Sequence, residues 1–154
     1  MPSIKAKDAI EIHVDPQVVF DAVSNYKDIS AWLPIYSCHY LNGEEVVEGL
    51  KVSHQYGKPP FVMSKFTRSI DTIIPGSRLE ETYIDGDLRG AGIWSFDKSE
   101  LGTIASYECE VTSQKMFAHI TFTIFGKNAH SNVYKPLLKK LKAHCEAMIK
   151  VSEQ

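Results

Sequence analysis

Apolar residues fall at every second position near the start of the chain, which is typical of a β-strand with one buried face. These residues are Ile10, Ile12 and Val14. In the next stretch, "DPQVVFDAVSNY", the spacing changes to that of a helix, and its apolar stripe consists of Val19, Phe20 and Val23. Asp15 followed by Pro16 predicts the helix start, because the carboxylate caps exposed amides and proline suits the first turn.

A second, shorter helix is predicted in "KDISAWLP". It ends before Pro34, since the residue before a proline disfavours the helical conformation. Trp32 and Leu33 are expected to pack against the core at this point.

From Ile35 to Val111 the chain consists of short strand-like segments separated by turn sequences. The turns are "NGEE", "GKPP", "IPGS", "IDGD" and "KSELG". Such short connections indicate an antiparallel meander. Residues 116–125, "MFAHITFTIF", fit a strand by their β-branched and aromatic content and a helix by their spacing, so both assignments stay open.

The end of the chain is predicted to be a long amphipathic helix with lysines on its polar side. Its apolar stripe consists of Val133, Leu137, Leu138, Leu141, Cys145, Met148 and Ile149. The predicted order is therefore a strand, two short helices, a series of antiparallel strands and a C-terminal helix. A curved sheet packed against this helix would bury the apolar surface of both, which places the chain in the α+β class.

Composition limits the partners of such a fold. The 154 residues contain no repeat or long linker, so one domain is expected over residues 1–154. Seventeen Lys and Arg against 19 Asp and Glu give a formal net charge of −2, which argues against a nucleic-acid partner. The spacing of the cysteines matches no disulfide framework, so we expect a cytoplasmic protein. The spacing of the histidines matches no metal site, and we expect neither a metal nor a cofactor. No signal peptide or membrane span is predicted.

Several segments resemble, in order, the landmarks of the START-like (SRPBCC) superfamily, in its polyketide cyclase/dehydrase and lipid-transport branch. They are "DPQVVFDAVSNY", "WLP", "RSIDTIIPGSRLEET", "DLRGAGIWSF", "GTIASYECEV" and "PLLKKLKAHCEAM". The resemblance covers nearly the whole chain and rests on the spacing of Trp, Pro and Gly, not on a catalytic signature. It implies a helix-grip fold, in which a curved antiparallel sheet wraps around the long C-terminal helix and encloses a deep hydrophobic cavity.

Alternation along each predicted strand separates residues that face such a cavity from those that face solvent. The inward residues are Leu50, Val52, His54 and Tyr56; Phe66, Arg68, Ile70 and Ile74; Leu79, Glu81 and Tyr83; and Ala105, Tyr107, Cys109 and Val111. Their polar members are candidate ligand-binding residues: His54, Tyr56, Arg68, Glu81, Tyr83 and Tyr107.

Arg68 and Glu81 are the most informative of these residues, because they lie on adjacent strands of the hairpin around "IPGS". An isolated charge in the core would cost several kcal/mol, so the two side chains are expected to pair. The pair fits a structural ion pair. The alternative is a polar anchor, in which Arg68 donates to a ligand and Glu81 accepts from it.

His54 is open to two interpretations, as a hydrogen-bonded core residue or as a proton acceptor. In an enzyme of the cyclase or dehydratase type, His54 or Glu81 would remove a proton and Arg68 would stabilise an enolate. His54, Glu81 and Arg68 are therefore the catalytic candidates.

The segment "LRGAGIWSF" carries two glycines on the same face as Trp94. Gly90 and Gly92 remove side chains from the inward face, which predicts a hollow beneath the C-terminal helix; they also suit a bulge. A ligand or a helix side chain such as Leu138 or Met148 would fill that hollow. Gly90, Gly92 and Trp94 therefore complete the candidate ligand-binding residues.

The sequence as a whole favours a protein that binds a small hydrophobic or amphipathic molecule in a central cavity. A lipid, a quinone, a polyketide or another aromatic compound would suit it. The alternative is an enzyme of the polyketide cyclase or dehydratase type. A third interpretation is an accessory interaction protein whose interior is filled by its own side chains. Monomer and homodimer both stay open.

Overall fold

The computed structural model describes residues 3–113 and 127–152. Its strands are β1 (Ser3–Ile12), β2 (Tyr36–Tyr40), β3 (Lys51–Tyr56), β4 (Ser64–Ile74), β5 (Arg78–Gly86), β6 (Leu88–Lys98) and β7 (Thr103–Ser113). Its helices are α1 (Pro16–Ser24), a 3₁₀ helix (Tyr26–Ala31) and α2 (Lys127–Ser152). The predicted order of elements is confirmed, while residues 116–125, left open between strand and helix, lie outside the described residues.

The seven strands within the described ranges form one curved antiparallel sheet in the order β1-β7-β6-β5-β4-β3-β2. Consecutive strands from β2 to β7 are neighbours, as their short turns predict. Strand β1 lies at the edge of the sheet and pairs with β7, from Ser3 opposite Thr112 to Ile12 opposite Thr103. The C-terminal helix α2 packs against β1 and α1, so the predicted combination of a curved sheet with a long C-terminal helix is confirmed.

The start of α1 differs from the prediction in one detail. Asp15 is the N-cap residue and Pro16 occupies the first turn, but the Asp15 carboxylate makes no capping hydrogen bond. It lies instead 3.4 Å from the Nζ atom of Lys98. The Asp15 carbonyl accepts the first helical hydrogen bond, from the amide of Val18 at 3.0 Å. The predicted side-chain cap is therefore wrong, because the exposed carboxylate turns toward a cation.

A β-bulge in β4 corrects one predicted inward position. The pairing of β4 with β5 shifts register between Ile70 and Thr72, which leaves Asp71 as an extra residue. Beyond it the alternation is displaced by one position. Ile73 packs against the core, whereas Ile74 is 47% exposed. The prediction that Ile74 faces inward is wrong, because it carried the alternation through the bulge.

The buried side of α2 includes most of the predicted stripe that falls on described side chains. Its buried residues are Leu137, Leu138, Leu141 and Cys145. Met148, predicted on the same stripe, is 47% exposed. Ile149, the last residue of the stripe, packs against the core, so the buried side of the helix continues past Met148 and leaves that side chain half exposed. Nearby, the Glu146 carboxylate accepts from the amide of His13 at 2.9 Å. Among the described residues, no helix is long and apolar enough to span a lipid bilayer.

Candidate functional site

Three ionisable side chains meet in the interior, on neighbouring strands β3, β4 and β5. His54, Arg68 and Glu81 are 0%, 5% and 1% exposed. All three lie on the inward positions that strand alternation predicts. The Nε atom of Arg68 lies 3.2 Å from Oε2 of Glu81, which confirms the predicted pairing of these two residues.

Tyrosine hydroxyls surround this ion pair. Tyr26 donates to Oε2 of Glu81 at 2.8 Å. The Nη1 atom of Arg68 donates to the hydroxyls of Tyr83 and Tyr107, each at 3.4 Å. These two hydroxyls also form a hydrogen bond with each other. We call the whole set the polar cluster, which consists of Tyr26, Tyr36, His54, Arg68, Glu81, Tyr83 and Tyr107.

The imidazole of His54 lies between Arg68 and Tyr36. Its Nε2 atom is 3.2 Å from Nε of Arg68, and its Nδ1 atom is 3.4 Å from Nη2 of Arg68 and 2.7 Å from the Tyr36 hydroxyl. A doubly protonated ring would direct N–H groups toward the guanidinium from both nitrogens, so the geometry favours the neutral ring. Burial and the positive charge of Arg68 lower the pKa of His54 well below 6.5, and the ring is neutral at pH 7.

The pKa values of Arg68 and Glu81 reflect a competition between burial and pairing. Burial raises the pKa of Glu81. The Arg68 guanidinium and the Tyr26 hydroxyl lower it by less, so the pKa stays above its ordinary value. Burial opposes the charge of Arg68, but Glu81 and the tyrosine hydroxyls outweigh this effect and raise the pKa of Arg68 well above its ordinary value. Because Arg68 stays charged and contacts Glu81 directly, we assign the pair its ionised form at neutral pH.

One oxygen atom of the polar cluster differs from the rest. Glu81 Oε2 contacts both Arg68 and Tyr26, whereas Oε1 is buried and has no hydrogen-bond partner among residues 3–113 and 127–152. In contrast, each nitrogen of the Arg68 guanidinium lies within 3.4 Å of a partner in the cluster. The cluster therefore offers an acceptor, and its main donor is already engaged.

No protein-family model and no curated protein matches this chain. Solved structures match it over nearly its whole length. A START superfamily protein from Mycobacterium smegmatis is 12% identical, with a TM-score of 0.75 over 94% of this chain and 98% of its own. Ginseng major latex-like protein 151 from Panax ginseng is 11% identical, with a TM-score of 0.72 over 92% and 97%. Ara h 8.0201 is 11% identical, with a TM-score of 0.68 over 95% and 99%.

The chain has the START-like helix-grip fold. The fold predicted from the sequence resemblance is thereby confirmed. Identities of 11% and 12% show the fold alone, so what the START-like interior does in this protein depends on its own residues.

The other candidate residues of the START-like interior form an aromatic surround for the cluster. Tyr56 is partly buried and stacks on Phe66, with ring centroids 6.0 Å apart. Trp94 is buried, and its ring lies 5.0 Å from that of Tyr107. On the other side of Tyr107, the ring of Tyr134 from α2 stacks at 4.6 Å. The polar cluster is therefore enclosed largely by aromatic rings.

The predicted hollow above Gly92 is filled by Tyr107. A Cβ atom on Gly92 would collide with the Tyr107 hydroxyl, so the glycine makes room for that hydroxyl within the polar cluster. Gly90 has a φ of +140°, and a Cβ there would collide with the backbone carbonyl of Glu110 on β7. The expectation that a ligand or an α2 side chain lies over Gly92 is wrong, because a side chain of the neighbouring strand occupies that space.

Two members of the cluster, Tyr26 and Tyr36, were missed by the sequence interpretation. Tyr36 begins β2 at a buried position in "YSCHY", so extending the alternation to this short strand would have found it. Tyr26 lies in the 3₁₀ helix, one turn after Val23 of the α1 stripe. That spacing indicates burial but does not indicate contact with Glu81, which is 55 residues away in the chain.

The described part of the chain contains no group of three or more His, Cys, Asp or Glu side chains that is suited to hold a metal ion. Cys38 and Cys145 are free thiols. Burial raises the pKa of the Cys109 and Cys145 thiols to about 12 in each case, so both are protonated at neutral pH.

Proposed function

We propose that this protein binds a small hydrophobic or amphipathic molecule between its sheet and α2, with the polar end of the molecule held at the polar cluster. The buried Arg68–Glu81 pair carries this proposal, because the Oε1 atom of Glu81 has no hydrogen-bond partner among the described residues. Buried ion pairs are often no more stabilising than apolar residues of the same volume. A pair that also leaves a buried carboxylate oxygen unbonded is better accounted for by a ligand than by stability alone.

The surroundings of the cluster support a ligand with an apolar body. The ring centroids of Phe66 and Tyr83 lie 5.1 Å apart, and those of Trp94 and Tyr107 lie 5.0 Å apart. These rings provide flat apolar surfaces beside the charged groups. Apolar walls with a few convergent polar groups are typical of small-molecule sites. A lipid, a quinone, a polyketide or another aromatic compound has this division into a polar end and an apolar body. The cytoplasmic location predicted from the cysteine pattern belongs to the same proposal.

Native mass spectrometry of protein purified from its host tests the proposal, because a bound molecule adds a discrete mass that is lost after organic extraction. Thermal unfolding with a panel of lipids, quinones and polyketides provides a second measurement. A ligand at about 100 times its Kd stabilises the folded state by about 2.7 kcal/mol, which raises Tm by about 5 to 10 °C for a chain of this size. Protein at its bare mass with an unshifted Tm throughout would instead favour the accessory interaction protein.

A second function, proton abstraction by a polyketide cyclase or dehydratase-type enzyme, is favoured by one observation. Burial raises the pKa of Glu81, and one of its carboxylate oxygens has no partner within the described ranges, as a general base requires. His54 is the weaker candidate base, because both its nitrogens already lie beside Arg68. In such an enzyme Glu81→Gln abolishes turnover of a candidate substrate but preserves its binding. Equal loss of turnover and binding would identify Glu81 as an anchor.

A further inference from the structure

We infer that the ligand of this site presents a neutral hydrogen-bond donor, such as an alcohol or phenol O–H or an amide N–H, to the Oε1 atom of Glu81. This inference rests on the proposed function and specifies the chemical class of the ligand. It reverses the expectation that Arg68 donates to a ligand.

The Glu81 carboxylate is the acceptor of the polar cluster. Its Oε2 atom receives the Tyr26 hydroxyl at 2.8 Å and lies 3.2 Å from Nε of Arg68. Its Oε1 atom is buried without a partner in the part of the chain that the structure describes. An ionised carboxylate only accepts hydrogen bonds, and a buried acceptor without a donor is destabilising. The complementary ligand atom is therefore a donor.

Arg68 is the main donor of the polar cluster, and each nitrogen of its guanidinium already has a partner there. Its Nη1 atom donates to Tyr83 and Tyr107, and its Nε and Nη2 atoms lie 3.2 and 3.4 Å from His54. A ligand carboxylate would compete with these partners for the guanidinium. It would also bring a second negative charge close to Glu81, where repulsion in a buried site is strong.

The charges in the polar cluster already balance, so the ligand's donor group is expected to be neutral. Arg68 carries one positive charge and Glu81 one negative charge, while His54 is neutral at pH 7. A cationic ligand at Oε1 would lie near the Arg68 charge and leave the site with a net positive charge. A hydroxyl or amide N–H satisfies Oε1 without adding any charge.

Calorimetric titration of the full chain at pH 7 with three ligands of one skeleton tests this inference. The ligands are 2-naphthol, 2-methoxynaphthalene and 2-naphthoate, and 1-dodecanol against dodecanoate is an aliphatic pair of the same design. We expect each alcohol or phenol to bind at least about tenfold more tightly than its ether or acid counterpart, which is about 1.4 kcal/mol. Equal or tighter binding of the ether or the acids would overturn the inference and leave the proposed function standing. Absence of binding by all five compounds would overturn both.

The variant Glu81→Gln supplies an opposite prediction for the same ligands. Its amide oxygen would retain the contacts with Tyr26 and Arg68, so the amide nitrogen would take the place of Oε1 and present a donor. The preference for 2-naphthol over 2-methoxynaphthalene should then be lost or reversed. Glu80→Gln is the matched control, since Glu80 lies next in the chain and outside the cluster, bonded to Arg78; it should keep the original preference. The ligand comparison in the unchanged protein decides the question even if Glu81→Gln does not fold.

Discussion

Gly92 on β6 has no side chain, and this leaves room for the hydroxyl of Tyr107 on β7. In Gly92→Ala the added methyl group would push the Tyr107 hydroxyl away from Arg68 and Tyr83. We expect the free energy of unfolding to fall by about 1 to 3 kcal/mol, the usual cost of overpacking a core. Urea denaturation measures this change.

Tyr107→Phe provides the control for this prediction, because it removes the atom with which the new methyl group collides. In the Tyr107→Phe background, Gly92→Ala should destabilise the protein less than it does alone. Strictly additive costs of the two substitutions would show that the hydroxyl is not what requires a glycine at position 92.

His54 gives the folded protein a sensitivity to acid. Its pKa is lower in the folded chain than the 6.5 of an exposed histidine, so the unfolded state takes up the proton first as the pH falls. The stability that depends on neutral His54 is present above about pH 6.5 and is lost below it, by at most about 1.4 kcal/mol per pH unit. His54→Gln should remove this component from the free energy of unfolding measured against pH.

The control for His54 is His39→Gln on β2, where the side chain is exposed. It should leave the pH dependence of the unchanged protein intact. Glu81 has a raised pKa and acts in the opposite direction above about pH 4.5, but it is present in all three proteins and cancels in the comparison. Identical slopes for His54→Gln and the unchanged protein below pH 6.5 would refute the assigned role of His54.

At the scale of the elements, the bulge at Asp71 determines which isoleucine of β4 supports the core. Ile73 packs against the core and Ile74 is exposed. We expect Ile73→Ala to lower the free energy of unfolding by about 1 to 2 kcal/mol, since Ile73 is partly buried, and Ile74→Ala to change it by about 0.5 kcal/mol at most. Chemical denaturation of the two variants compares them directly, and a larger effect at Ile74 would show that β4 has no bulge here.

The order and pairing of strands β2 to β7 could be predicted because the turns between them are short and rich in glycine, proline and acidic residues. The pairing of β1 with β7 was not predicted, because no short turn joins these two strands. Strand alternation likewise predicted that His54, Arg68 and Glu81 share one face. It failed at Ile74, since one extra residue in a strand leaves no local signal in the sequence. Tyr26 and the occupant of the space over Gly92 depend on contacts between distant segments, which periodicity does not encode.

At the scale of the whole molecule, the START-like fold places the polar cluster between a curved sheet and a long helix. Lys142 of this helix donates to the Glu11 carbonyl of β1 at 2.8 Å and, within the helix, to Glu146 at 2.7 Å. The same fold occurs in proteins that are only 11% to 12% identical to this chain. The fold is therefore shared by proteins of very different sequence, and the proposed ligand specificity rests on the polar cluster of this chain.

The most direct test of this function is a crystal structure of protein purified from its host without removal of bound lipids. We predict non-protein electron density between the sheet and α2, with a donor atom about 2.6 to 3.2 Å from Oε1 of Glu81. An interior filled only by the chain's own side chains, with Oε1 bonded to a protein group or a single water molecule, would contradict the proposal that this site holds a ligand.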